Sequence, residues 1–465
     1  MSVKNAPKPG LSVFQMAVIT TISVASMFCL PAMATQGLAS AVMYLMPAFL
    51  FFVPVALVSA ELGAAYPGGI YVWVREAFGS RMGFLAVWLQ WIQNVVWYPI
   101  QLAFVAASAA FAIGKGDLSN SGLYTGLVII AVYWLATLLT LRGGNAFAKI
   151  GSVGGVAGAL VPAALLIALG AAWLLSGKPV SPALSQSSWL PEVSGLSSLV
   201  LLVSNVFAFS GMEMNAVHVG DMKERRGYNK ALLLAFVFIL GIFVLPTLSI
   251  AAAVPAEKLG MDNGILVAFQ TFFDTWRVGW LSNLVALAIA FGAMAAAVTW
   301  LAGPSKGLLA AAKTGLLPLR FQKQNKHGVQ SGILIPQGII VTILALIYIV
   351  LPGVSDVFLS LIDMAAALYV IMYILMFAAA IVLRKKEKGV QQGYKVPALK
   401  LVAGVGIVTC AVALVMSFIP LGSERAIPKA IYPALVAAVV VVLGAPPLLF
   451  YALRKPKWDT RQGEE

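Results

Sequence analysis

Charge is what this chain has least of. Asp, Glu, Lys and Arg make up 10% of its 465 residues, and 61% are hydrophobic. An ordinary soluble domain carries about 25% charged residues. So few charges cannot cover the surface of a water-soluble fold of this length. That excludes a soluble enzyme, a soluble nucleic-acid binder and a disordered chain. Histidine and cysteine are also scarce, with two of each. His218 and His327 belong to no His/Glu motif. Cys29 and Cys410 each sit inside an apolar run. No metal centre, cofactor or disulfide framework is therefore expected. No Walker A pattern occurs, which argues against ATP-driven work by this chain.

What the chain has is apolar runs. A bilayer-spanning helix needs about 20 mostly apolar residues. Twelve such runs can be drawn: 12–33, 40–62, 82–112, 121–141, 150–175, 195–220, 231–254, 279–302, 333–351, 356–383, 399–419 and 429–451. They are called spans 1 to 12 below. Ala32-Met33-Ala34 mimics a leader cleavage site, but the first apolar run is too long for a leader and eleven more follow, so it is expected to be retained.

The few charges are unevenly placed. The net charge is +14. Of 31 basic residues, 25 fall in the segments on the N-terminal side of the membrane, and only Lys115, Lys178, Lys258, Arg277, Arg425 and Lys429 fall on the other. Basic residues collect in cytoplasmic loops, so both termini are expected inside the cytoplasmic membrane. The basic excess then needs no nucleic-acid partner, and bilayer lipid is the surrounding medium.

Polar residues inside such spans mark function or close packing. Span 1 carries Thr20, Thr21, Ser23 and Ser26 at mid-length, with Pro31 after them. Hydroxyls of this kind bond back to helix carbonyls and loosen a turn. Span 6 carries Phe207-Ala208-Phe209-Ser210-Gly211-Met212-Glu213, flanked by Asn205 and Asn215. A carboxylate at that depth costs about 3 kcal/mol or more. It either serves gating or pins span 6 to a neighbour. His218 reads as structural and Asp221 as a helix terminus. Span 3 places Gln90, Asn94, Trp97 and Gln101 on one face, with Tyr98 one turn from Asn94. The alternatives there are a pocket wall and interhelical hydrogen bonding. Asp363 in span 10, seven residues past Asp356, reads as a gate residue or as part of a structural pair.

Glu61-Leu62-Gly63-Ala64-Ala65-Tyr66-Pro67-Gly68-Gly69-Ile70-Tyr71-Val72-Trp73 and Ala77-Phe78-Gly79 resemble the corresponding segments of the amino acid–polyamine–organocation superfamily of permeases. So do Ser210-Gly211-Met212-Glu213 with Met222, and the segment from Gly303-Pro304-Ser305-Lys306 through Gly315-Leu316-Leu317-Pro318 to Asn325-Lys326, read as a loop after span 8. The resemblance covers nearly the whole chain. Ala216-Val217-His218-Val219 and Lys323-Gln324-Asn325-Lys326-His327 are similar to the glutamate/GABA antiporter branch. Val24-Ala25-Ser26 stands where many relatives carry Gly-Ser-Gly. The segment after span 12, 452–465, is short, so a long C-terminal plug is not expected.

The resemblance implies an all-α integral membrane protein of 12 transmembrane helices, with a LeuT-type 5+5 inverted repeat plus two C-terminal helices. Residues 1–11 would be a cytoplasmic tail, 12–175 and 194–383 the two repeats, 399–451 spans 11 and 12, and 452–465 a cytoplasmic tail. It implies a secondary transporter of amino acids or their decarboxylated amines, not an enzyme. Ser23, Ala25 and Ser26 of span 1 and Phe209, Ser210 and Gly211 of span 6 would give the substrate a backbone cradle. Free N–H groups of the inner half-helices would face a carboxylate, and free carbonyls of the other halves an ammonium. Phe207 would cover the substrate, with Asn94, Tyr98, Val298 and Trp300 around its side chain. Glu213 and Asp363 would serve gating, with a proton as a candidate partner for Glu213.

No Lys or Arg lies in any span centre, which favours a neutral or amine-bearing substrate over a dianion. Span 5 has no lysine beyond Lys149, which favours exchange or proton coupling over sodium. A glutamate/GABA-type antiporter, a polyamine permease and a channel remain the alternatives. A channel would need a continuous polar stripe in several spans.

Overall fold

The computed structural model describes residues 10–142, 154–191, 205–224, 227–260, 263–351, 353–386, 394–420 and 428–460. Among the described residues the chain is helical, and extended pairing is limited to two isolated bridges. Ten helices are long and apolar enough to cross a membrane: Ala39–Ala65, Ser80–Ala112, Gly122–Leu141, Val156–Leu175, Tyr228–Ala253, Leu281–Lys313, Ser331–Val350, Asp356–Lys386, Leu399–Met416 and Tyr432–Ala452. Val13–Val24 and Met27–Ala34, bent by 47° at their junction, make an eleventh. The described part of span 6 is 205–221. The expected start of that span, and Lys149 of span 5, lie outside the described residues.

The outer faces confirm what the solvent is. Ile335, Ile339 and Ile343 of span 9, spaced four apart, are all exposed, as are Leu123 and Leu127 of span 4. Apolar stripes of this kind are liabilities in water, and in a bilayer they are the lipid contact. Span 3 is the opposite case, with 83% of its apolar window buried inside the protein. It packs most extensively against spans 8 and 10 and so forms the centre of the bundle.

Spans 5 and 8 cross where Gly158 meets Gly292. A side-chain carbon on either glycine would strike the other's backbone. Small residues let membrane helices approach this closely, and dispersion between their backbones holds the pair.

Span 8 runs to Lys313, well beyond the expected end at residue 302, so Gly303 to Lys313 is helix and not loop. Proline inside a helix removes the bond to the carbonyl four residues back. For Pro304 that carbonyl belongs to Trp300, and the Asn94 amide of span 3 donates to it at 3.2 Å. The neighbouring Ser305 hydroxyl donates to the Leu301 carbonyl. The helix continues because another span repairs it.

At one end of the bundle, Glu61 of span 2 is buried and Arg384 of span 10 donates to both its oxygens. The Val396 N–H donates to Glu61 Oε2 at 2.7 Å, and Arg384 also reaches the Val396 carbonyl. Lys386 Nζ caps the short helix Ile70–Phe78 through the carbonyls of Glu76 and Ala77. Spans 2, 10 and 11 are thus tied through one carboxylate. Removing one partner of such a pair strands a buried charge, at about 3 kcal/mol. Arg384→Gln is therefore expected to lower the melting temperature in detergent, and E61Q/R384Q to recover much of the loss. A thiol-reactive dye would read this directly, because Cys410 is buried and Cys29 half-buried. A double variant no more stable than the single would refute the pairing.

Candidate functional site

Span 1 breaks at Ala25 and Ser26. Thr21 Oγ1 donates to the Ala17 carbonyl and Ser23 Oγ to the Ile19 carbonyl, one turn below the break. Ala25 still donates its N–H to Thr21, but Ser26 is extended, with φ −95° and ψ 114°. Helix resumes at Met27.

Span 6 repeats the pattern. Ser210 Oγ donates to the Val206 carbonyl at 3.3 Å, and Gly211 takes a left-handed φ of 107°. After it the chain winds as a 3₁₀ helix over Met212–Asp221. Such helices are rarely longer than 3–4 residues, and a long one marks a hinge or strain. The side chains of His218 and Asp221 lie outside the described residues.

The two breaks adjoin. Asn215 Nδ2 donates to Ser23 Oγ at 3.2 Å. A side-chain carbon on Gly211 would stand 3.0 Å from the Trp300 ring and 3.6 Å from the Ser23 carbonyl. The ends of both spans are tied as well, since Leu11 pairs with Met222 and the Lys223 N–H donates to the Leu11 carbonyl. In each span the half that follows the break turns its N–H groups toward it. For span 1 that half is Met27–Ala34, the half away from the N-terminal side, so the inner-half expectation fits span 6 alone.

Glu213 is buried beside the second break, among three donors. Tyr369 and Tyr373 of span 10 donate to its two oxygens at 2.6 and 2.5 Å, and Gln90 of span 3 donates at 3.1 Å. The Gly211 N–H donates to the Tyr373 oxygen at 2.8 Å. One relay therefore runs from the broken backbone through a tyrosine to the carboxylate.

A cavity of about 30 Å³ lies against the first break. Its walls include Ser23, Ala25, Ser26, Trp97, Gln101 and Trp300. Asn94 stands behind this wall, donating to Tyr98 Oη and to the Trp300 carbonyl. Tyr98 packs on Tyr133 and Trp97. Val298 is buried and is not among the lining residues. Phe207 lies edge-on to Tyr369. Phe209 puts its backbone in the second break, but its ring packs into Tyr44, Phe52 and Phe243. Tyr432 of span 12 donates to Asp363 Oδ2 at 2.5 Å. Tyr369 and Tyr373 were missed in the sequence. Their signal was a tyrosine pair four apart on one face of span 10, and Glu213 is the acid they meet.

Two interrupted helices whose breaks adjoin, with a cavity against the first, in a bundle whose outer faces are lipid-compatible, point to a multi-pass membrane transporter. The comparisons agree. Residues 11–443 match the family described as amino acid permease. The chain is 38% identical over 423 residues to an uncharacterized transporter of Legionella pneumophila, covering 90% of this chain and 91% of the relative. It is 30% identical over 454 residues to a glutamate/gamma-aminobutyrate antiporter of Lactococcus lactis, covering 95% and 90%. It is 25% identical over 403 residues to a probable agmatine/putrescine antiporter of the same species, covering 84% of each. The chain belongs to the amino acid permease family.

Two outcomes test the site's construction. Tyr373→Phe removes a donor from Glu213 and also strands the Gly211 N–H, whereas Tyr369→Phe removes a donor alone. Each stranded buried group costs about 1–3 kcal/mol. Tyr373→Phe should therefore lower thermal stability more than Tyr369→Phe, and equal losses would contradict the relay. Asn94→Leu strands the Trp300 carbonyl, and Pro304→Ala supplies the missing N–H to it. The double variant is expected to regain about 1 kcal/mol over Asn94→Leu in the same melting assay. No gain would show that Asn94 does not repair span 8.

Proposed function

We propose that this chain is a secondary transporter that moves small amino acids or amines across the cytoplasmic membrane by alternating access, through exchange or proton coupling. Both termini face the cytoplasm in this reading. Residues 12–175 and 194–383 act as two repeats of opposite topology, each opening on a broken span. The observation that carries the reading is that the two breaks adjoin, with a cavity against the first and Glu213 bonded to spans 10 and 3 beside the second.

The half-helices supply complementary ends for a zwitterion. N–H groups beginning at Met27 and Met212 suit a carboxylate, and the free carbonyls ending at Val24 and Ala208 suit an ammonium. Ser23, Ala25, Ser26, Ser210 and Gly211 form this cradle, Phe207 covers it, and Trp300 closes the side toward span 8. The likeness to a glutamate/gamma-aminobutyrate antiporter and to a probable agmatine/putrescine antiporter supports an amino acid or amine as cargo.

The test is counterflow in proteoliposomes against a panel of amino acids and amines, with pH and sodium varied. At least one compound is expected to drive exchange without sodium. Ser26→Trp should abolish it by filling the cavity. Glu213→Gln replaces an acceptor with a donor opposite two tyrosine hydroxyls, and should slow transport about tenfold or more with a changed pH profile. A panel on which nothing exchanges would sink the transport reading. An unchanged rate and profile in Glu213→Gln would take that residue out of the mechanism.

A further inference from the structure

Between spans 9 and 12 the bundle is left open. Span 9 packs chiefly on spans 4 and 3, and span 12 on spans 10 and 3. The groove between them has a volume of about 620 Å³, within the ~300–1,000 Å³ of pockets that hold whole ligands. Its walls come from residues 343–351 of span 9 and 435–443 of span 12, with Val357 and Leu361 of span 10 and Val96 of span 3. Ile343, Val350 and Val442 on the rim are exposed, whereas Val96, Val357 and Leu361 are buried. Ser360 is the one polar side chain among the described lining residues, and none is charged.

What fills the groove follows from its rim. Ile343 is the last member of the exposed isoleucine stripe of span 9, which is lipid contact. The groove is a recess in that same face, so its occupant is drawn from the bilayer. Residues 343–351 and 435–443 each rise about 12 Å along their helices. That is most of the ~15 Å that one leaflet gives to the hydrocarbon core. The recess begins where span 9 ends and span 10 starts, and Val96 stands at the midpoint of span 3. It therefore has the length and the direction of a lipid tail in the leaflet away from the termini.

The groove offers a headgroup nothing but Ser360. A helix of a second copy is about 10–12 Å across and would rest on the rim, whereas a thin flexible chain can follow the recess down to its buried floor. Leaving bulk lipid for an apolar groove brings no hydrophobic gain, so the holding force is close packing against fixed walls. We propose that the groove between spans 9, 10 and 12 is a binding site for one acyl chain of a bilayer phospholipid, recognised by its tail and not by its headgroup. The chain braces span 10 against span 3. Those spans carry Tyr369, Tyr373 and Gln90, the donors to Glu213, so the bound lipid steadies the setting of that carboxylate. The site depends on the bilayer and on no particular cargo.

The full chain, purified in mild detergent and washed, is expected to keep a stoichiometric phospholipid, counted by phosphorus assay and lipid mass spectrometry. Ala438→Trp should lose it. Ala438 lines the groove and is exposed, so the new ring fills the recess without entering the core. Ile339→Trp, on the same stripe but outside the groove, should keep it. In liposomes, dioleoyl phosphatidylglycerol with a diazirine in its tail should crosslink chiefly to 343–351 and 435–443, and Ala438→Trp should remove that labelling. This second reading holds even where washing strips every lipid. Dioleoyl phosphatidylglycerol and dioleoyl phosphatidylethanolamine should raise the melting temperature of the washed protein alike, and dihexanoyl phosphatidylcholine should not. Labelling spread evenly over span 9, crosslinking unchanged in Ala438→Trp, or a rise that only one headgroup gives would overturn the site. So would efficient disulfide dimers of Val442→Cys in liposomes, which would make the groove an interface between copies.

Discussion

A carboxylate in the membrane interior must have its oxygens held, and much of this structure is arranged around doing so for Glu213. Two tyrosine hydroxyls and one amide converge on it from spans 10 and 3. Each group would itself be expensive to leave unbonded at that depth. The tyrosines are fully buried, and Tyr373 also takes the N–H freed by the left-handed turn at Gly211. The break in span 6 is therefore not a stretch of loose chain. It is a bend whose stranded backbone donor is delivered to a tyrosine, and whose acid fixes that tyrosine in place.

The same economy of polar groups explains Asn94. It lies on the polar face of span 3, where the sequence leaves pocket wall and interhelical bonding equally open. The structure gives it the second role, donating to the carbonyl that Pro304 leaves bare. Through that bond span 8 continues as one helix, and Trp300 is held against Gly211. Gln101, on the same face two turns further along, is only half used. Its nitrogen binds span 8 and its oxygen binds nothing. Two residues of similar chemistry on one face thus do different work, and spacing alone cannot tell them apart.

This is where legibility in the sequence ends. The spans were readable because hydropathy and length are nearly sufficient to specify a membrane helix. Both breaks were readable because serine, threonine and glycine at mid-span have few other uses. What was not readable was pairing across the bundle. Asp363 reads equally as a gate residue or as part of a structural pair, and its bond from Tyr432 of span 12 is not visible in the sequence. Phe209 stands in the break, yet its ring turns into the core between spans 2 and 7. Tyr369 and Tyr373 read as packing aromatics until their hydroxyls are seen on Glu213. Span 8 was cut short at Pro304 because the residue that repairs it lies some two hundred positions away in the chain.

The connections also decide what must give way if the molecule is to change shape. Spans 1 and 6 are joined to each other by Asn215 and Ser23 and by Leu11 with Met222. Few of those contacts involve spans 3, 8 or 10. The pair packs broadly on spans 2 and 7, and Glu213 links it to spans 10 and 3. The attachment to spans 10 and 3 is concentrated at that single side chain. A ligand shifts such an equilibrium only by binding one arrangement better than the other. A substrate seated between the breaks and Trp300 touches both sides of that attachment, and a proton on Glu213 would convert an acceptor of tyrosine bonds into a donor. Either event acts where the second break is held to spans 10 and 3, and that break adjoins the first through Asn215 and Ser23, so coupling in this fold needs no long path.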